Sequence, residues 1–123
     1  MPEDGVKYLH EKVVNGLVSK HGSEYHKVAE RSPWGVFYRH IDQNIVRVRI
    51  ELQNQSGMSG MSQITVSMLK AGLKHPDRWE QNGENHISVA VKRDHARYAI
   101  VDALNAVMGL SGLGYQKGVD EDA

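Results

Sequence analysis

The run IVRVRIELQ, residues 45–53, constrains this chain more than any other stretch. Val46, Val48, Ile50 and Leu52 alternate with Arg47, Arg49, Glu51 and Gln53. Successive side chains on a strand leave on opposite faces, so this pattern demands a strand with one dry face and one wet face. A slip of one residue would turn every apolar side chain to water, which pins the register. A strand of this kind needs neighbours with the same polarity and a cover over the dry side.

The flanking segments supply both. WGVFYRHI, residues 34–41, is rich in the aromatic and β-branched residues that strands favour, and Asp42-Gln43-Asn44 makes a turn into the alternating run. HISVAVK, residues 86–92, sends Ile87, Val89 and Val91 inward and Ser88, Ala90 and Lys92 outward. QITVSMLK, residues 63–70, reads as a further strand with Ile64, Val66 and Met68 inward. SEYHKVAE, residues 23–30, has no clear period, and Ser32-Pro33 interrupts it. The loop that follows Ala71 contains HPDRW, a short helical turn around Pro76 to Gln81, and the turn signal Asn82-Gly83.

Two segments read as amphipathic helices. In residues 5–21, Val6, Leu9, Val13 and Leu17 recur at three- and four-residue steps, with Asp4 placed to cap and Gly22 to terminate. The second starts at Asp94 and carries a stripe of Ala96, Ala99, Ile100, Ala103, Leu104 and Val107 before Gly109, Gly112 and Gly114 end it. Helix, strands and helix assemble most economically as an α+β two-layer sandwich. Its antiparallel sheet has three to five strands, and both terminal helices pack on one face. The 123 residues make one domain over 1–114, followed by an acidic, disordered tail at 115–123. The order α-β-β-β-α also occurs in double-stranded-RNA-binding domains. Their lysine pair at the last helix is missing from KRDHARYA, however, and the DQN turn lacks their glycine-proline-histidine pattern, so no family is assigned.

Composition narrows the function. There are no cysteines, which removes disulfides and thiolate chemistry and fits a reducing compartment. No apolar run approaches a membrane span, and MPEDGVKYLHEKVV lacks the features of a secretory signal, so the expectation is a cytoplasmic protein. The net charge is zero, yet residues 31–97 hold ten Lys and Arg against six Asp and Glu, leaving five against nine elsewhere. The middle is basic and the ends are acidic.

Three surfaces are candidates for work. The wet sheet face should carry Arg39, Arg47, Arg49 and Lys92 among small polar residues, and Phe37 joins them if it shares the parity of Arg39. QNQSGMSGMSQ, residues 53–63, reads as a long hairpin tip with Met58 and Met61 as adaptable apolar contacts. Trp79, in a polar loop, is a candidate binding anchor. The leading reading is a non-enzymatic protein-interaction or self-assembling module, a homo-oligomer, with Met58, Met61, Trp79, Arg47 and Arg49 touching the partner and sheet-edge strands available for pairing. The alternative is a nucleic-acid-binding domain using Arg39, Arg47, Arg49, Lys92 and Arg93. No catalytic set, metal site or cofactor motif stands out. Asp42, Glu51 and Gln53 echo a metal-dependent nuclease only loosely, and His40, His86 and His95 could serve a metal only if they converged.

Overall fold

A computed structural model describes residues 24–31, 34–52 and 65–110. Five strands form one antiparallel sheet: β1 (His26–Arg31), β2 (Trp34–His40), β3 (Ile45–Leu52), β4 (Glu80–Gln81) and β5 (His86–Lys92). The spatial order is β1-β2-β3-β5-β4, which places the alternating strand β3 at the centre. Two α-helices are described, α1 (Val66–Ala71) and α2 (Ala96–Leu110), with single 3-10 turns at Pro76–Arg78 and Arg93–His95.

The period-2 pattern of β3 is obeyed. Val46, Val48 and Ile50 are fully buried, while Arg47, Arg49 and Glu51 are half-buried on the other face. Register carries the pattern to the neighbours: Tyr38 pairs with Val48 and Val36 with Ile50, and on the other side Val89 pairs with Val48 and Ile87 with Ile50. These residues share one face with Trp34, and α2 lies across it through Ala96, Ile100, Ala103, Leu104 and Val107. Each valine, leucine or isoleucine among them, fully buried, contributes about 1.5–3 kcal/mol. Phe37 shares the parity of Arg39 and lies on the opposite face.

The turns have local causes. Asp42 Oδ1 accepts from the Asn44 amide at 2.6 Å and from the Ile45 amide at 2.9 Å, closing the β2–β3 connection. Gly83 adopts φ 127°, a region that side chains disfavour, in the turn between β4 and β5.

Several expectations need correction. The segment read as a strand over 63–70 contains α1 instead. Thr65 caps this helix, its hydroxyl accepting from the Met68 amide at 3.2 Å, and the buried residues are Val66 and Leu69, three apart, with Met68 exposed. A short run mixing β-branched and helix-favouring residues supports either period, and the cap decides it. Residues 23–30, without a clear period, supply β1, which pairs with β2 through an irregularity between Lys27 and Ala29. Asp94 lies inside the 3-10 turn that precedes α2, whose first residue is Ala96. Of the two covering helices, only α2 falls within the described residues; the helix expected over 5–21 lies outside them, as do the 115–123 tail and the 53–63 tip with Met58 and Met61.

α2 is also more deeply buried than a single stripe predicts. Asp102 and Asn105, on its polar side by sequence, are 6% and 0% exposed. Part of the reason is that α1 and the chain after it pack on α2. A Cβ added at Gly72 would lie 3.4 Å from Ala106, and the Lys74 amide donates to both carboxylate oxygens of Asp102 at 2.8 and 3.1 Å.

Candidate functional site

Among the described residues, the outer edge of β5 loses its strand partner halfway along, while the inner edge stays paired with β3. Leu52 N–H donates to the Asn85 carbonyl at 2.8 Å, and Arg93 N–H donates to the Asn44 carbonyl at 2.7 Å. Odd-numbered residues of β5 therefore bond to β3, because bonding direction alternates along an antiparallel strand. Even-numbered residues turn to the other side, where Asn82 N–H donates to the His86 carbonyl at 3.1 Å and Glu80 pairs with Ser88. The next rung would join Arg78 to Ala90. It does not form. Arg78 N–H donates to the His75 carbonyl at 3.2 Å and Trp79 N–H to the Pro76 carbonyl at 3.1 Å, so the 3-10 turn lifts the chain away from β5. Both polar groups of the Ala90 backbone and the Lys92 N–H face an edge with no strand partner among the described residues.

A groove of about 720 Å³ occupies the place where those rungs are missing. Its apolar floor is Trp79, Val89, Val91 and Ala99. One wall is the 74–78 loop with Lys74, His75 and Arg78; the other is the end of the second 3-10 turn and the start of α2, with His95 and Tyr98, and Lys92 stands at the end of the strand. The loop wall is held by the Asp102 carboxylate on the Lys74 amide. Tyr98 is 46% exposed, with its ring centroid 6.4 Å from that of His95. The groove thus combines unpaired backbone, an apolar floor and a basic rim.

The outer sheet face has a different character. Arg39 and Arg49 place their guanidinium carbons 5.3 and 5.1 Å from the ring centroid of Tyr25, an arrangement worth about 0.5–1 kcal/mol for each cation at an exposed site. Arg49 also pairs with Glu51 at 2.6 Å, and Arg47 donates to the Ser88 hydroxyl at 3.4 Å. Ser88, expected to face water, is 2% exposed and donates to the Asn82 side-chain oxygen at 2.6 Å. These arginines are engaged with their own face.

Trp79 is 4% exposed and belongs to the core cluster, so it is not the surface anchor its polar neighbours suggest. Burial of so large a ring outweighs the polarity of the adjoining HPDR segment. Arg93 is half-buried at the start of the 3-10 turn before α2. His40 and His86 do not converge: they pair beside Val46 and Glu51, which are five residues apart on β3, or roughly 16 Å at strand rise. Among the described residues, no group of three His, Cys, Asp or Glu could hold a metal ion. Asp42 is taken up by the turn and Glu51 by Arg49, while Gln53 lies outside the described residues. Among the described residues, burial holds the Tyr38 phenol above its usual value.

Sequence reasoning missed Lys74, His75, Arg78, His95 and Tyr98 as a group. Nothing local joins a loop at 74–78 to a helix face at 95–98. Only the three- and four-residue spacing of His95, Tyr98 and Asp102, running from the 3-10 turn into α2, hinted at a second working stripe. Among the described residues, no helix is long and apolar enough to cross a membrane. No family model matches the chain, no curated protein matches it, and no solved structure matches it.

Proposed function

We propose that this protein is a non-enzymatic protein-interaction module that captures an extended segment of a partner by adding it as a strand to the free half of β5. The observation that carries this reading is the edge at Ala90 and Lys92, vacant among the described residues, beside a formed groove. Strand addition uses main-chain hydrogen bonds for affinity and side-chain pockets for selectivity, and both are supplied at this place. Four residues of edge, Val89 to Lys92, span about 13 Å and suit a short peptide.

The test is Ala90→Pro. Proline removes the outward N–H while leaving the ladder to β3 intact, because Ala90 does not bond to β3, and prolines are tolerated at strand edges. Peptides selected from a random library on the wild-type chain should bind it and fail to bind Ala90→Pro. The Ala90 and Lys92 amides should gain protection from hydrogen exchange in the complex. Equal binding by the proline variant, with its fold verified by circular dichroism, would refute strand addition.

A second reading places nucleic acid on the outer face. It is favoured by the row of Lys27, Arg39, Arg47, Arg49 and Lys92 on three neighbouring strands and β1, with Tyr25 and Phe37 among them. The variant Arg47→Ala with Arg49→Ala should then weaken nucleic-acid binding and flatten its dependence on salt. An unchanged salt slope rejects this reading.

A further inference from the structure

We infer that the segment taken by the β5 edge is acidic; this deepens the strand-addition reading and rests on it. The titratable groups that line the groove are Lys74, His75, Arg78, Lys92, His95, Tyr98 and Asp102. Asp102 is the single carboxylate, and it is 6% exposed with both oxygens bonded to the Lys74 amide. His75, Arg78, Lys92 and His95 are exposed. A strand laid along Ala90 and Lys92 therefore meets cations on the loop wall and at one end, a histidine on the helix wall, and no exposed carboxylate in the lining.

The floor sets the rest of the pattern. A strand added to β5 points alternate side chains toward the side of the sheet on which Val89 and Trp79 are buried. Those positions suit small or branched apolar residues, and the residues flanking them suit aspartate or glutamate. A second copy of this chain is a poor occupant. Pairing two β5 edges would bring Arg78 and Lys92 of one copy against the same cations of the other, and like charges at an edge are a common defence against such pairing. A nucleic-acid strand carries the negative charge but cannot continue a main-chain ladder through the Ala90 N–H and carbonyl.

Fluorescence anisotropy with three labelled peptides tests this. One is Glu-Glu-Val-Ser-Val-Glu-Glu; the others replace every glutamate by glutamine or by lysine. The acidic peptide should bind about tenfold tighter than the glutamine peptide at low salt, and the gap should shrink at high salt, as expected for several exposed ion pairs. Arg78→Glu combined with Lys92→Glu should reverse the order, favouring the lysine peptide. If the glutamine peptide binds as tightly as the acidic one, and Ala90→Pro abolishes both, strand addition stands and the acidic preference is overturned. If no peptide binds and none protects the Ala90 amide, strand addition itself fails. If an oligothymidine binds in the same groove and is indifferent to Ala90→Pro, the groove is a nucleic-acid site and the inference is overturned. Protection of the Ala90 amide in a peptide-free dimer would likewise overturn it in favour of a second copy.

Discussion

Replacing Asn105 by leucine should stabilise this protein. Asn105 is 0% exposed, and among the described residues neither the nitrogen nor the oxygen of its carboxamide has a hydrogen-bond partner. A carboxamide brings two donors and an acceptor oxygen out of water, and burial without compensation costs about 1–3 kcal/mol by mutational measure. Leucine has the same number of side-chain heavy atoms and the same branch point, but its two methyl groups are wider and press on a helix already buried from Ile100 to Met108. Crowding of this kind takes back about 1 kcal/mol or more. The balance is a gain of about 1 kcal/mol, or about 3–5 °C in Tm for a domain of this size. Asn105→Ala cannot crowd its neighbours; it removes the polar group, improves helix propensity and leaves a small void, so it should stay within about 1 kcal/mol of the parent. Asn105→Asp should fall well below both, because it places a charge where no partner waits among the described residues. Thermal unfolding followed by circular dichroism measures all three. A loss of about 2 kcal/mol or more in both the leucine and the alanine variants would refute the reasoning, since crowding could not explain the alanine result and the carboxamide would have to be bonded in solution.

The loop wall of the groove depends on Asp102. Asp102→Ala should cost about 2 kcal/mol, the range for a charge-assisted hydrogen bond, and speed hydrogen exchange at the Lys74 amide, with Asp102→Asn intermediate; an unchanged exchange rate at Lys74 would remove the staple. The two tryptophans, Trp34 at 1% and Trp79 at 4% exposure, should both resist quenching by iodide, and Trp79→Ala should cost about 3–5 kcal/mol; a readily quenched emission would return Trp79 to the surface. Burial raises the Tyr38 phenol above its ordinary value near 10, so the unfolded chain releases this proton first. Its contribution is whole below about pH 10 and is lost as pH rises further. Tyr38→Phe should lessen the fall in stability above that point, and an identical alkaline profile for the two proteins would contradict it.

The sequence alone determined β3 and β5 as strands with one dry and one wet face, since strict alternation has one solution, whereas the parity of β2 was fixed only by its pairing of Val36 with Ile50 and Tyr38 with Val48. The α2 stripe was legible for the same reason, a period held over several turns. Short runs were not. Residues 66–71 could satisfy either period, and the choice fell to the Thr65 cap and to contact with α2. The polarity of HPDRW concealed a buried Trp79, because side-chain environment is set by what folds over a residue and not by its neighbours in the chain. Asp102 and Lys74 lie 28 residues apart, and no local rule joins them. The candidate site belongs wholly to that second category. It exists because a 3-10 turn leaves β5 one rung early, so its residues share a groove without sharing a segment; sequence pattern records periodicity along the chain, and only the tertiary structure decides which backbone groups are left without partners.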